Sequence, residues 1–128
     1  KDKTKPNENL SIPNHEYMDG GFSTMYMSRN RRKNWDEPSF TIQAGARHAP
    51  LYPSSDMMVK VSEDVWKFES DKPKHRRLSI RECARVQTFP DDFIFYYDNL
   101  SKGYKMIGNA VPVKLAEVLA HQIKEDLE

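Results

Sequence analysis

Basic side chains are concentrated in two stretches of this 128-residue chain, although its formal net charge is only +1. Residues 23–50 carry five basic residues against two acidic ones, a net charge of +3. Residues 72–85 carry six basic residues against one acidic residue, a net charge of +5. Arginine can donate two hydrogen bonds to O6 and N7 of guanine, and both arginine and lysine contact phosphates. The first stretch is therefore a candidate for nucleic-acid contact, although an Arg-rich turn is more often only a solvated loop.

Other kinds of chemistry have little support in the composition. The single cysteine, Cys83, excludes an internal disulfide and a CxxC metal site, and the four histidines lack HExxH spacing, so no metal site is predicted. No apolar run approaches the roughly 18 residues of a membrane span, and no signal peptide is predicted. We expect a cytoplasmic protein with no membrane partner. The polar start KDKTKPNENL is interpreted as a cut inside a longer protein.

The first half of the chain has the composition of a small, irregular, strand-rich unit with long loops. Residues 1–22 are rich in Lys, Asn, Pro, Gly and Asp, which predicts a mobile or surface-running leading segment. In residues 39–44 apolar and polar side chains alternate, the period of a half-buried strand. Residues 45–56 contain two prolines and a glycine and are predicted to be loop. The other strand predictions are residues 23–28, 57–62 and 65–68.

The second half contains clear helix signals. Ser79 and Glu82 form an S-x-x-E capping box, which satisfies two backbone amides at a helix start. Leu78, just before the cap, is placed to pack on Cys83 one turn into the helix. The pattern predicts a helix over about 80–87, ended by the Phe-Pro pair that follows.

A second helix is predicted near the end of the chain, with Pro112 in its first turn, where the missing amide costs nothing. Its apolar residues recur every four positions and form one stripe on an otherwise polar helix. The stripe consists of Leu115, Leu119, Ile123 and Leu127. Such a face normally packs against another element, and without one it folds back, self-associates or stays exposed.

Two segments, in this order, resemble the last two motifs of the DNA (cytosine-5)-methyltransferases. RRLSIRECARVQTFPDDF, residues 76–93, is similar to the ninth motif, R-x-L-T-x-R-E-x-A-R-x-Q-x-F-P, and IGNAVPVKLA, residues 107–116, is similar to the tenth. Residues 26–53 also resemble part of the target-recognition domain of the bacterial branch that recognises GGCC. Ser79 replaces the usual Thr, and Thr88 replaces the usual Gly.

This resemblance implies an enzyme that extracts a cytosine from the duplex, adds a thiolate to its ring and transfers a methyl group from S-adenosylmethionine to C5. The P-C-Q nucleophile, E-N-V and F-x-G-x-G motifs of the family do not occur in this sequence. The chain is therefore expected to hold no catalytic residue, and Cys83 is expected to be a small buried hydrophobe. Alone, the chain is expected to be inactive.

The expected fold class is α+β, with an organisation taken from the same resemblance. A target-recognition domain is expected over 23–106, including the ninth-motif helix. The tenth-motif turn and a closing helix over 107–128 are expected to belong to an absent Rossmann-like catalytic domain. The chain would be the C-terminal part of a bacterial restriction–modification methyltransferase, and its partners would be double-stranded DNA and the catalytic half, in the same chain or a second one.

Residues on the recognition loops are the candidates for DNA contact. Arg29, Arg31 and Arg47 are predicted to read base edges, and an extended backbone would point Arg29 and Arg31 to the same side. Arg32, Lys33 and Lys60 are predicted to contact phosphates, which adds affinity without sequence information. Apolar side chains can wedge into the gap left by the base, so Met25 and Tyr26 are candidates for that role, although core positions are the commoner reading of both.

The tenth-motif turn is the candidate cofactor contact. Gly108 and Ala110 are small enough for close backbone approach, and Asn109 can donate and accept hydrogen bonds. The resemblance implies that this turn lies beside the methionine end of S-adenosylmethionine once the catalytic half is present. The alternative is that these residues form an ordinary turn between loop and helix, with no contact to a cofactor. Two other functions stay open at this point, a stand-alone sequence-specific DNA-binding module and a protein-interaction adaptor.

Overall fold

The structure, a computed structural model, describes residues 9–29 and 31–128. In chain order its elements are α1 (Thr24–Ser28), a 3₁₀ helix (Ala46–His48), β1 (Met58–Ser62), β2 (Val65–Phe68), α2 (Ile80–Val86), α3 (Leu100–Gly108) and α4 (Val113–Leu127). The predicted α+β class is confirmed. Within the described residues only two strands form, however, so the first half has less strand than its composition predicted.

The hairpin of β1 and β2 supports helix α1. The strands pair antiparallel, with Met58 opposite Phe68, and the register shifts after Lys60, next to a turn in which Asp64 has a φ of 54°. Aspartate is one of the few residues that tolerates this left-handed conformation. Met58 forms a buried cluster with side chains of α1 and the loop after the 3₁₀ helix, namely Tyr26, Met27 and Leu51. Both strands predicted in this region, 57–62 and 65–68, are confirmed.

Residues 23–28 do not form the predicted strand, because most of them make up helix α1. Ser23 keeps an extended backbone, and its Oγ accepts a hydrogen bond from the Tyr26 amide at 3.2 Å. Serine at this position stabilises a helix start by satisfying an amide that has no partner within the helix. The short helix buries Tyr26 and Met27 against the hairpin. The local cap and this burial outweigh the strand-like composition.

The strand predicted over 39–44 is also wrong. The segment forms neither helix nor strand, and no strand pairs with it in the described part of the chain. Its alternation nevertheless has a structural counterpart, since Ile42 is buried and Phe40 is half-buried while the polar residues beside them are exposed. The period of two therefore identified Phe40 and Ile42 as facing the core but not Ala44, which is exposed, and no described strand supplies the backbone hydrogen-bond partners of a sheet.

Helix α2 begins as predicted, at a capping box. The Ser79 Oγ accepts from the Glu82 amide at 3.1 Å, and the Glu82 carboxylate accepts from the Ser79 amide at 2.8 Å. Arg76 adds two hydrogen bonds to the same carboxylate, at 2.6 and 2.7 Å. Burial alone would raise the pKa of Glu82, but the bonds from Arg76 and Ser79 outweigh it and lower the pKa. Leu78 and Cys83 lie in one buried cluster, as the staple pattern predicted.

The segment before α1 is held by the buried side chain of Arg81, which differs from the surface-running path predicted for it. Arg81 donates hydrogen bonds to the Pro13 carbonyl at 3.0 Å and to Asn14 Oδ1 at 3.2 Å. The Asn14 side chain in turn donates to the Phe95 carbonyl at 2.9 Å. Residues 13–16 are thereby fixed between α2 and the aromatic segment after it. Residues 1–8 of the predicted leading segment lie outside the described residues.

Helix α3 was not predicted from the sequence and fills the space between the two motifs. Asn99 caps it by accepting from the Lys102 amide at 3.0 Å. Tyr104 and Ile107 bury one side of α3 in the main core, and the Tyr104 hydroxyl donates to the Leu78 carbonyl at 2.6 Å. The main core consists of Ile42, Ala46, Ala49, Leu78, Ile80, Cys83, Ala84, Phe95, Tyr104 and Ile107.

Helix α4 confirms the helix predicted near the end of the chain, with Pro112 at its N-cap rather than inside its first turn. No residue of α4 is buried, and the apolar stripe is exposed from 51% at Leu115 to 82% at Leu127. The helix start is held from outside, since its first amide, Val113, donates to the Gln87 carbonyl at 3.1 Å and Lys114 donates to Thr88 Oγ1 at 2.9 Å. Thr88 adopts a φ of 60° to do so.

Candidate nucleic-acid interface

Helix α1 separates its side chains into a buried and an exposed set. Tyr26 is 3% exposed, and its hydroxyl donates to the Ala49 carbonyl at 2.7 Å, so burial raises the pKa of this phenol to about 12. Met25 is 55% exposed, and Arg29, the C-cap, is exposed as well. Of the two wedge candidates, Tyr26 is thus a core residue, as the commoner reading had it, whereas Met25 stands in solvent.

Arg31 is placed differently from Arg29. It is only 6% exposed, and its guanidinium lies 5.9 Å from the ring centre of Tyr26 and 5.6 Å from that of Phe40. Its Nε has no hydrogen-bond partner among the described residues, and burial lowers the pKa of the group. An extended backbone was needed to point Arg29 and Arg31 to the same side, but Arg29 has helical dihedral angles, so this requirement is not met. The base contact predicted for Arg31 remains a prediction.

Arg47 is exposed on the 3₁₀ helix, within the segment predicted to be loop. Two hydrogen bonds connect this region to the α1 region: Tyr26 Oη to the Ala49 carbonyl, and the Leu51 amide to the Arg31 carbonyl at 2.7 Å. The structure therefore brings the two candidate recognition segments together, with an exposed arginine on each.

The three residues predicted to contact phosphates also differ in exposure. Arg32 is half-buried, with Nε donating to the Pro53 carbonyl at 2.8 Å and Nη1 lying 2.6 Å from Met57 Sδ. Lys33 lies 3.5 Å from the Glu37 carboxylate and 5.1 Å from the ring centre of Phe40. Lys60 is exposed on β1. Arg32 is therefore engaged in holding the loop together, and Lys60 is the most accessible of the three.

The tenth-motif residues also occupy distinct environments. Gly108 is the last residue of α3, and a Cβ atom there would lie 2.6 Å from Cα of Ala44. Asn109 is the exposed C-cap and borders an open cleft with Tyr96, Asp98 and Lys105. An exposed amide beside aromatic and charged groups fits a polar cofactor contact, whereas the Cβ side of Gly108 is already filled by backbone. Cofactor contacts of all three turn residues, including half-buried Ala110, remain predictions.

Gln87 holds this turn, a role that sequence reasoning did not assign. Its side-chain amide donates to the Ile107 carbonyl at 3.3 Å and to the Ala110 carbonyl at 3.5 Å, while the main-chain carbonyl of Gln87 accepts from the Val113 amide. The sequence signal for this role is that Gln87 occupies the Gln position of the ninth-motif pattern, at the end of the predicted helix. The end of α2 thus fixes the end of α3 and the start of α4 together.

Other chemistry is not suggested by the described residues. Cys83 is fully buried, and burial raises the pKa of its thiol far above the usual range, so it carries no reactive thiolate. Within residues 9–29 and 31–128, no group of three or more His, Cys, Asp or Glu side chains is arranged to hold a metal ion. None of the helices in the same part of the chain is long and apolar enough to cross a membrane.

Comparison with known proteins agrees with the two motifs. Residues 1–125 match the family described as C-5 cytosine-specific DNA methylase. The Type II methyltransferase M.MthTI of Methanothermobacter thermautotrophicus is 66% identical over 122 residues, which cover 94% of this chain and 37% of that protein. M.FnuDI of Fusobacterium nucleatum is 52% identical over 129 residues, 99% of this chain and 38% of that protein.

A third relative, M.BsuRI of Bacillus subtilis, is 52% identical over 116 residues, which cover 84% of this chain and 27% of that protein. The chain thus spans between about a quarter and two fifths of the length of these Type II methyltransferases. On the match of its sequence from residue 1 to residue 125, the chain belongs to the C-5 cytosine-specific DNA methylase family.

Proposed function

We propose that this chain is the C-terminal, target-recognition portion of a DNA (cytosine-5)-methyltransferase that modifies a short GGCC-like site. The observation that carries the proposal is that two neighbouring segments each present an exposed arginine, Arg29 on one and Arg47 on the other. The Tyr26–Ala49 and Arg31–Leu51 hydrogen bonds join these segments. The motifs that supply the thiolate and the acid in the family are absent from this sequence, so methyl transfer requires a catalytic segment as partner.

Site selection follows from the chemistry of these arginines. A guanidinium held in the major groove can donate two hydrogen bonds to one guanine, and each such contact contributes about 1–3 kcal/mol of discrimination. Extraction of the target base costs a few kcal/mol, which contacts to flanking bases and phosphates must offset. A GGCC-like site offers a guanine in every base pair. Exposed Arg29 and Arg47 are therefore the best placed of the candidates, with Met25 as an accessible apolar group beside them.

Helix α4 supports the need for a partner. A stripe of four apolar side chains, each at least half exposed, is a face that a folded protein normally covers. We assign this face to the catalytic segment, so that the turn at Asn109 completes the cofactor site. S-adenosylmethionine supplies the methyl group when bound there. Asn109 would hold the cofactor by hydrogen bonds, with no catalytic step of its own.

The proposal is tested by a bisulfite map of DNA from cells that carry the full-length gene and from cells that lack it. The expected result is gene-dependent methylation of cytosine at one short, guanine-rich site. Absence of any sequence-restricted cytosine methylation that depends on the gene would contradict the proposal. It would instead leave a stand-alone DNA-binding module or an interaction adaptor.

The cofactor assignment has its own test in the full-length enzyme. Asn109→Ala should weaken binding of S-adenosylmethionine in equilibrium dialysis and leave the affinity for DNA unchanged. Ser101→Ala, an exposed change earlier on the same helix, is the matched control and should alter neither. Unchanged cofactor binding in Asn109→Ala would remove the turn from the cofactor site.

A further inference from the structure

Arg77 is a buried arginine whose hydrogen bonds reach the main chain of a candidate recognition segment. It is 2% exposed. Its Nε donates to the carbonyl of Arg47 at 3.2 Å, Nη1 donates to Met18 and Gly20 at 3.3 and 3.0 Å, and Nη2 donates to Gly21 at 3.0 Å. All four acceptors are main-chain carbonyl oxygens. A single guanidinium therefore fixes the 3₁₀ helix and the segment before α1 relative to each other.

Two aromatic rings also contact the guanidinium of Arg77. Its central carbon lies 4.2 Å from the ring centre of Phe22 and 5.1 Å from that of Tyr26. A cation over an aromatic face is attracted by the partial negative charge that the quadrupole of the ring places on that face, more strongly when water is excluded. Tyr26 also binds the Ala49 carbonyl, just after the 3₁₀ helix. Arg77 and Tyr26 thus hold the main chain at two points, at Arg47 within the 3₁₀ helix and at Ala49 just after it.

We infer that Arg77 is a positioning residue for target selection, which holds the main chain of Arg47 so that its exposed side chain meets one base pair. The inference rests on the proposed role of Arg47 in reading DNA. A bidentate contact demands a fixed donor geometry, because small displacements of the backbone are amplified along a long side chain. Loss of the Arg77–Arg47 bond should therefore reduce selectivity more than it reduces catalysis at the best site.

Arg81 provides a matched control in the same part of the chain. It is fully buried and also makes four hydrogen bonds. Their acceptors are the carbonyls of Pro13, Pro90 and Phe93 and the side-chain oxygen of Asn14. None of these belongs to the 3₁₀ helix or to the residues beside it. Replacing Arg81 removes a comparable set of bonds without touching the main chain of Arg47.

The test compares Arg77→Lys, Arg81→Lys and Arg47→Gln in the full-length methyltransferase that contains this chain. For each, kcat/KM is measured on a duplex with the cognate site and on duplexes with one base pair changed. Arg77→Lys is expected to lower the cognate-to-changed ratio about tenfold at the base pair that Arg47→Gln identifies. Arg81→Lys is expected to keep the ratio within about twofold of the wild-type value, even if its melting temperature falls as far as that of Arg77→Lys. Added to Arg47→Gln, Arg77→Lys should cause no further loss of the ratio, because both act on one contact.

The outcomes separate this inference from the proposed function. If Arg47→Gln lowers the ratio but Arg77→Lys behaves like Arg81→Lys, the positioning role of Arg77 is wrong and the reading role of Arg47 stands. If Arg47→Gln leaves every ratio unchanged, the reading role itself fails and the inference fails with it. Should Arg77→Lys not fold, Phe22→Leu removes the ring that holds the same guanidinium and thereby weakens its hydrogen bond to Arg47, so it must shift the ratio at the same base pair for the inference to hold.

Discussion

Gly108 lies directly against the backbone of Ala44, where a Cβ atom on the glycine would be 2.6 Å from the Ala44 Cα and closer still to its nitrogen. The last residue of α3 is therefore in main-chain contact with the segment that leads into the 3₁₀ helix. Glycine permits such close approach because it has no side chain. This contact gives Gly108 a packing role, whichever group meets the turn on its other side.

Gly108→Ala is predicted to destabilise the protein, because the added methyl group meets backbone that cannot rotate away. Overpacking of this kind costs about 1–3 kcal/mol. Gly21→Ala is the matched control, since a Cβ atom there has nothing within 4 Å. Urea denaturation should show a lower unfolding free energy for Gly108→Ala alone. Equal stability of the two variants would show that α3 and residues 43–44 are not in contact.

Thr88 combines an unfavourable backbone with a favourable hydrogen bond, so two substitutions separate the terms. Thr88→Ala keeps the φ of 60° but loses the bond to Lys114, whereas Thr88→Gly loses the bond and relieves the left-handed strain. The strain is about 1–2 kcal/mol and a cap about 0.5–2 kcal/mol. We expect Thr88→Ala to be about 1 kcal/mol less stable than Thr88→Gly in thermal unfolding. The reverse order would contradict the conformation of this turn.

Local signals predicted the elements that depend on local interactions. The capping box at Ser79 and Glu82 is formed by atoms three residues apart, so the start of α2 follows from the sequence. Helix α3 was missed because its cap, Asn99, follows a run of aromatic residues and its interior contains Gly103, a weak helix former. That glycine is needed where α3 meets Ile80 and Tyr97, a contact that no local pattern reveals.

The sequence predicted which residue types form the candidate site, but not which of their side chains are exposed and which are buried. Arg29 and Arg31 are two residues apart and chemically identical, yet one is exposed and the other packs between two aromatic rings. Their difference depends on the end of α1 and on the pairing of residues 31 and 51, which are distant in sequence. The role of Arg77 was missed for the same reason, because its acceptors lie 30 to 59 positions away.

The Arg76–Glu82 pair predicts a pH dependence of stability. The pKa of Glu82 is lowered in the folded state, so the unfolded state binds its proton at higher pH than the folded state does. The stabilisation is fully present above the ordinary value of about 4.3 and is lost as the pH falls through the lower folded value. The unfolding free energies of the wild type and Glu82→Gln should therefore differ at pH 7 and converge towards pH 3. A constant difference would argue against the ion pair.

Cys83 is predicted to be unreactive in the folded protein, because it is fully buried in the main core. A thiol-specific reagent should label it slowly under native conditions and rapidly in denaturant, by a factor of at least about a hundred. Cys83→Ala should retain methyl transfer in the full-length enzyme, although the cavity reduces stability. Loss of activity at unchanged stability would give this cysteine a chemical role.

The most direct measurement is the site selectivity of the full-length methyltransferase after Arg29→Gln and Arg47→Gln are combined. The same loss of charge is introduced by Arg85→Gln with Lys102→Gln, whose side chains pair with Asp91 and Asp98 and are not among the candidate DNA contacts. Methylation of cognate and single-base-altered duplexes should lose its preference in the first variant and keep it in the second. Undiminished and equally selective methylation by the Arg29/Arg47 variant would contradict the account.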